Sequence, residues 1–362
     1  MHAKCAFGRL LVGLTSLALL VGCAASASPP PPAPATPVST SSPLAVVATP
    51  TPAAVVKATP TATPAPTPSV VVTADLTYES AGTLPAPALL DVYAPAKAGP
   101  WPVVVMFHGF QGSKNEYGTY ARKVADLGFV VFVPTWNTSL PEIGERNPAG
   151  FAQTACAVAF ARAHAAEYGA DPATMILFGH SAGAHPAAML AFTRPEPTAG
   201  CPGGATLGAI DALVTWEGNW LLSATEPSIM DWDGRLAADP GLMDVVTPWK
   251  HLGAHKDLKV VLLVSEDPGD VFERQASDPW AADSWLAVRD PSGNLRKQLE
   301  ASGALADRVF DFVDAQQLLY SVLKSQGNPV TLDAMPGSTH AYLSAEGWKV
   351  FLAAFPKAAA KG

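Results

Sequence analysis

The chain has 362 residues, 49% of them hydrophobic and 15% charged, with a formal net charge of -8. That is enough apolar material for one large core or two small ones. Its basic residues are scattered rather than clustered, which leaves no electrostatic footprint for nucleic acid, and the acidic balance speaks to solubility alone.

At the N-terminus, Lys4 and Arg9 precede an apolar run over residues 10–21 that is too short to span a bilayer as a mature helix and has the form of an export signal. The run ends in Leu20-Val21-Gly22-Cys23, which resembles the lipobox of bacterial lipoproteins. That resemblance implies cleavage after residue 22, lipidation of the Cys23 thiol and a stable extracytoplasmic anchor in the cell membrane or outer membrane. Residues 29–68 are almost wholly Pro, Ala, Thr, Val and Ser, with Lys57 as their only charge. Such a stretch does not bury enough apolar surface to offset its ordering entropy, and its prolines favour polyproline II. At about 3.1 Å per residue a stalk of this length reaches up to roughly 120 Å. The expected organisation is a signal peptide over 1–22, a lipidated Cys23 with a disordered linker over 23–68, and a folded domain over 69–362.

From residue 69 the pattern becomes one of alternating strands and helices. Strand-like runs occupy 70–72, 88–93, 102–107, 129–133, 175–178, 212–216, 260–264 and 330–332, with helix-like segments near 117–127, 151–168, 181–192, 315–325 and 345–358. Continuous β-branched runs between amphipathic helices imply a mostly parallel sheet covered on both faces.

Gly179-His180-Ser181-Ala182-Gly183 sits between the apolar run ending at Phe178 and a helix-like stretch. A serine on so tight a strand-to-helix turn presents its hydroxyl outward, and the flanking glycines avoid collisions with the neighbouring strand and helix. As a nucleophile Ser181 needs a histidine to take its proton, a carboxylate to orient that histidine, and donors for an oxyanion. His340, in Pro336-Gly337-Ser338-Thr339-His340, is the only histidine after His255 and follows the last strand-like run, so it is the candidate base. The loop Phe107-His108-Gly109-Phe110-Gln111-Gly112 is the candidate oxyanion loop, with the backbone amides of Phe110 and Ala182 as donors and His108 as an ordering residue. For the acid, Asp267 is the first aspartate after the run 260–264 and is assigned, with Asp270, Asp307 and Glu217 as alternatives.

With these residues in place, the chain from residue 69 onward resembles the α/β-hydrolase-superfamily serine esterases, carboxylesterase- and lipase-like in the nucleophile region 165–183. The oxyanion loop reads His-Gly-Phe-Gln-Gly and is closer to those of dienelactone-hydrolase-like and polyester-hydrolase-like members. The resemblance implies an eight-stranded, mostly parallel sheet with helices on both faces and a cap insertion, a Ser/Asp/His triad, no cofactor, and a small-molecule or polymeric ester as substrate. Residues 217–257 would cover the site, with Trp216, Trp220, Trp232 and Trp249 as candidates to line an acyl pocket. A second insertion, 272–304, blurs the acid region. Cys156 and Cys201, the cysteines left once Cys5 and Cys23 are set aside, are expected to form one disulfide in an oxidising compartment. No metal site is expected, since the remaining histidines show no ligand-like spacing with carboxylates, and the protein is expected to act as a monomer. The competing reading is a non-catalytic binding or adhesion lipoprotein that kept a hydrolase fold.

Overall fold

Each of the eight strand-like runs forms a strand, and all eight join one sheet. The computed structural model describes residues 69–79, 88–110, 112–136, 148–195, 201, 207–218, 248–268, 297, 301 and 312–356, all within the unit Ala65–Gly362. The signal peptide, Cys23 and the linker lie outside the described residues. So do most of the two expected insertions, together with Asp270 and Asp307.

In chain order the elements are β1 (Val70–Glu79), β2 (Ala88–Pro95), β3 (Trp101–Phe107), α1 (Gly118–Asp126), β4 (Val130–Pro134), α2 (Pro148–His164) and β5 (Ala170–His180). They continue with α3 (Ala184–Thr193), β6 (Ala212–Trp216), β7 (Lys259–Asp267), α4 (Phe312–Gln326), β8 (Val330–Thr339) and α5 (Ala345–Ala353). The sheet order is β1-β2-β4-β3-β5-β6-β7-β8. β1 and β2 pair antiparallel, as do β2 and β4, and every later pairing is parallel.

The alternation of side chains along each strand divides the interior into two apolar layers. Val103, Val105, Phe107, Leu177, Leu213 and Leu262 point to the face packed by α2, α3 and α4, where Val158, Leu190 and Leu323 are buried. Val104, Met106, Ile176, Phe178, Val214 and Leu263 point to the other face, against Val124 of α1 and Phe351 of α5. Burial on both sides is why β3 and β5 read as continuous apolar runs rather than alternating ones.

β8 departs from expectation by continuing through Pro336-Gly337-Ser338-Thr339 instead of ending before it. The proline and glycine mark a bulge: pairing with β7 shifts register between Ser265 and Asp267, which oppose Met335 and Thr339. Gly337 has a φ of 64° there, and its N–H donates to Glu266 Oε2 at 2.6 Å. A bulge re-aims the residue that follows it, and that residue region ends at His340. Beyond it, α5 is capped by Ser344, whose hydroxyl accepts from Gly347 N–H at 2.9 Å, a contact worth about 1 kcal/mol.

Candidate active site

Ser181 sits where β5 turns through a short helical turn, Ser181–Gly183, into α3. Its φ of 51° lies in the left-handed region, unusual for a residue other than glycine. The turn is held by close backbone approach. A Cβ on Gly179 would collide with Gly183 O and Ala184 N, and one on Gly183 would collide with the carbonyls of His108 and Phe107. The two glycines of the pentapeptide are therefore steric requirements, and the strained serine between them is a feature that clusters at functional sites.

The parallel strands bring four loops to one edge of the sheet. Ser181 follows β5, Glu217 follows β6, Ser265 lies near the end of β7, and His340 follows β8. Ser181 Oγ and His340 Nε2 are 3.0 Å apart. His340 Nδ1 is hydrogen-bonded to Glu217 Oε2. Because a carboxylate only accepts, Nδ1 carries the proton, which leaves the Nε2 lone pair to accept from the serine hydroxyl. The second carboxylate oxygen of Glu217 accepts from Ser265 N–H at 2.6 Å. Glu217 N–H donates to Leu263 O at 3.0 Å, and the Glu217 side chain is fully buried.

The assignment of the acid to Asp267 is corrected by this arrangement. Glu217, carried among the alternatives, is the carboxylate on His340 Nδ1. Asp267 closes β7 opposite Thr339 and is exposed. The physical reason is reach. Glu217 leaves β6 with a φ of 49°, and its longer side chain spans the tip of the intervening β7, where the Ser265 amide fixes it, to the loop after β8. The signal available in the sequence was a glutamate directly after the strand-like run Ala212-Leu213-Val214-Thr215-Trp216 and directly before Gly218.

Gly109 comes within contact of the nucleophile, a Cβ there being 3.3 Å from Ser181 Cβ. Gly112 N–H closes a turn onto Gly109 O at 3.1 Å, which puts Phe110 at an exposed tip. Gly109 N–H is committed to Tyr117 Oη at 3.1 Å. Beneath this loop, His108 is fully buried. Its Nδ1–H donates to Gly109 O at 2.8 Å, its Nε2 accepts from Trp136 N–H at 3.1 Å, and its carbonyl accepts from Trp136 Nε1–H at 3.1 Å. The ordering role expected of His108 matches these bonds.

Burial lowers the His108 imidazole from 6.5 to about 4, against the opposing influence of its hydrogen bond to the Gly109 carbonyl. Below pH 6.5 the unfolded chain therefore takes up a proton that the folded chain refuses. The stabilisation is fully present above pH 6.5 and is lost as pH falls towards 4. The whole effect is about 3 kcal/mol, of which about 2 kcal/mol is gone by pH 5. Urea unfolding of the protein at pH 7 and pH 5 should show that loss, and His108→Asn should show a smaller difference between the two pH values. An equal difference in both proteins would count against a neutral buried His108.

Cys156, in α2, and Cys201 are disulfide-bonded with their Cα atoms 5.2 Å apart, as expected. Trp216, one of the candidate pocket residues, packs inward against the nucleophile turn. It is buried, stacks on His180 at 4.1 Å and donates to Ser265 Oγ at 3.1 Å. Trp220, Trp232 and the Trp249 side chain lie outside the described residues. Against the expectation that histidines and carboxylates do not cluster, ligand-type atoms of His180, Glu217 and His340 lie within 4.8 Å of one another. Both ring nitrogens of both histidines already have hydrogen-bond partners within the protein, so the group is built as a hydrogen-bonded chain.

Residues 90–214 match the family model BD-FAE, that of an α/β-hydrolase-type esterase family. Among curated proteins no sequence matches this chain. Among solved structures, an esterase B from Lactobacillus rhamnosis carrying an inhibitor superposes with a TM-score of 0.56 at 16% identity, over 79% of this chain and 85% of that one. Propionate-bound esterase Est2 from Thermogutta terrifontis superposes with a TM-score of 0.51 at 20% identity, over 79% and 92%. Esterase 2 of the same species, phosphorylated by paraoxon, gives 0.52 at 17% identity, over 79% and 91%. The sheet order and these superpositions define an α/β-hydrolase fold. With the family-model match, and a serine within hydrogen-bond reach of an oriented histidine, the protein is a carboxylic ester hydrolase.

Proposed function

We propose that the protein is a serine esterase whose Ser181, His340 and Glu217 act as nucleophile, base and orienting acid, carried on an exported and lipid-anchored chain. The observation that carries this reading is the 3.0 Å approach of Ser181 Oγ to His340 Nε2, with Glu217 on the opposite ring nitrogen. Ser181 Oγ attacks the ester carbonyl as its proton passes to His340 Nε2, and Glu217 stabilises the imidazolium. The negative charge that develops on the carbonyl oxygen is taken by the backbone amides of Phe110 and Ala182. With Gly109 N–H held by Tyr117, Phe110 offers the next amide in the loop, and Ala182 N–H stands at the start of the helical turn. His340 then protonates the leaving alcohol, and a water activated by the same imidazole cleaves the acyl-enzyme. Export is supported by the signal-like run ending in Cys23 and by the Cys156–Cys201 bridge, which suits an oxidising compartment. An adhesion role has no need of so complete a proton path.

Treatment with a fluorophosphonate probe, followed by peptide mapping, tests the reading. The probe is expected to attach to Ser181 and to abolish hydrolysis of short p-nitrophenyl esters in step with labelling. Labelling elsewhere, or full labelling with activity retained, overturns it.

A further inference from the structure

The x residue of the pentapeptide, His180, is not used by the chemistry above, yet it makes hydrogen bonds to two of the loops that chemistry needs. Its Nε2 lies 2.9 Å from the backbone carbonyl of His340. Its Nδ1 lies 2.5 Å from Tyr117 Oη, which also accepts from Gly109 N–H at 3.1 Å. The direction of every proton in this chain follows from its ends. The His340 carbonyl can only accept, so in the neutral ring Nε2 carries the proton and Nδ1 is bare. The Tyr117 hydroxyl therefore donates to Nδ1 while its oxygen accepts from Gly109. Burial, then the neighbouring His340, holds the His180 imidazole well below the ordinary histidine range, consistent with that neutral form. Trp216, stacked on the ring at 4.1 Å and 29°, keeps it in plane.

We propose that Tyr117 and His180 are positioning residues that register the oxyanion loop against the His340 loop through the chain Gly109 N–H, Tyr117 O–H, His180 ring, His340 O=C. Three loops from different strands, after β3, β5 and β8, have to agree to within a fraction of an ångström for Ser181, His340 and the Phe110 amide to meet one carbonyl group. Each is tied to its own strand, and this chain ties them to each other. Because Tyr117 acts on His180 and His180 on the base loop, removing either breaks the same linkage. The proposal rests on the serine mechanism above, and its test separates the two.

Tyr117→Phe removes one oxygen atom from a buried ring, and His180→Gln keeps a donor near the His340 carbonyl while losing the acceptor for Tyr117. Each is expected to lower kcat roughly 10- to 100-fold with KM little changed, as misplacement of reacting groups does. The double variant should cost about as much as the worse single one, since partners in one network are not additive. In the wild-type protein, long-range 15N imidazole spectra should show His180 as the neutral Nε2–H tautomer, and Tyr117→Phe should disturb that signature. Wild-type kcat in Tyr117→Phe, fully additive losses in the double variant, or an Nδ1–H tautomer at His180 would overturn the relay. Those results would leave the serine mechanism standing as long as the fluorophosphonate still labels Ser181. A probe that misses Ser181 in the wild-type protein would instead remove the mechanism itself.

Discussion

Replacing Ser181 by alanine is expected to lower kcat for ester hydrolysis about 10⁶-fold, His340→Ala to do nearly as much, and the double variant to lose little more than either. Nucleophile and base act as one unit. Without the serine there is no acyl-enzyme to form, and without the imidazole there is nowhere for the serine proton to go. The residual rate, about 10³- to 10⁴-fold over water, is what oxyanion donors and substrate binding supply on their own. The backbone at this position calls for a control. Ser181 has a φ of 51°, and alanine inherits that strain, on the order of 1–3 kcal/mol. Ser181→Gly removes the hydroxyl and relieves the strain together, because glycine enters the left-handed region freely. It should therefore melt at or above the wild-type temperature while losing the same activity. Steady-state rates on p-nitrophenyl acetate, with thermal melts of each variant, check both parts. Activity surviving in Ser181→Gly above a few per cent would show that another group carries the reaction.

The fold and two residues of the candidate site, Ser181 and His340, are legible in the sequence because their signals are local. β3 and β5 read as continuous apolar runs since both faces of a parallel sheet are buried, and the close approach of Gly183 to the His108 and Phe107 carbonyls leaves a glycine that any reading can see. His340 was legible by chain order, having no rival after His255. The end of β8 was not, because Pro336-Gly337 is a turn signal by composition and becomes a bulge only when β7 pairs with both sides of it. Glu217 was not either. The choice among carboxylates depends on which strand tip offers an amide to fix the second oxygen, and Ser265 N–H does so from 48 residues away in the chain. His180 carries no local signal for the same reason, since its partners Tyr117 and His340 lie 63 and 160 residues away.

The identity of the acid can be tested by two substitutions that keep shape and remove charge. Glu217→Gln is expected to lower kcat about 10⁴-fold, the scale found when the acid of such a triad becomes an amide. Ser265 N–H decides how the new amide sits. That donor, 2.6 Å from Glu217 Oε1, demands the amide oxygen, so the NH2 group faces His340. A donor facing Nδ1 forces the imidazole into its other tautomer, with Nδ1 bare and Nε2 protonated. The ring nitrogen nearest Ser181 then carries a proton and has no lone pair with which to accept another. The loss should fall on kcat with KM little altered, and 15N imidazole spectra should show the tautomer exchanged. Asp267→Asn removes an exposed carboxylate on the neighbouring strand. An exposed charge is worth at most about 1 kcal/mol to a partner, so the expected cost is no more than about fivefold. Should Asp267→Asn prove the more damaging of the two, the carboxylate that orients His340 during turnover would be Asp267, and the contact between Glu217 and His340 would be a feature of the resting site alone.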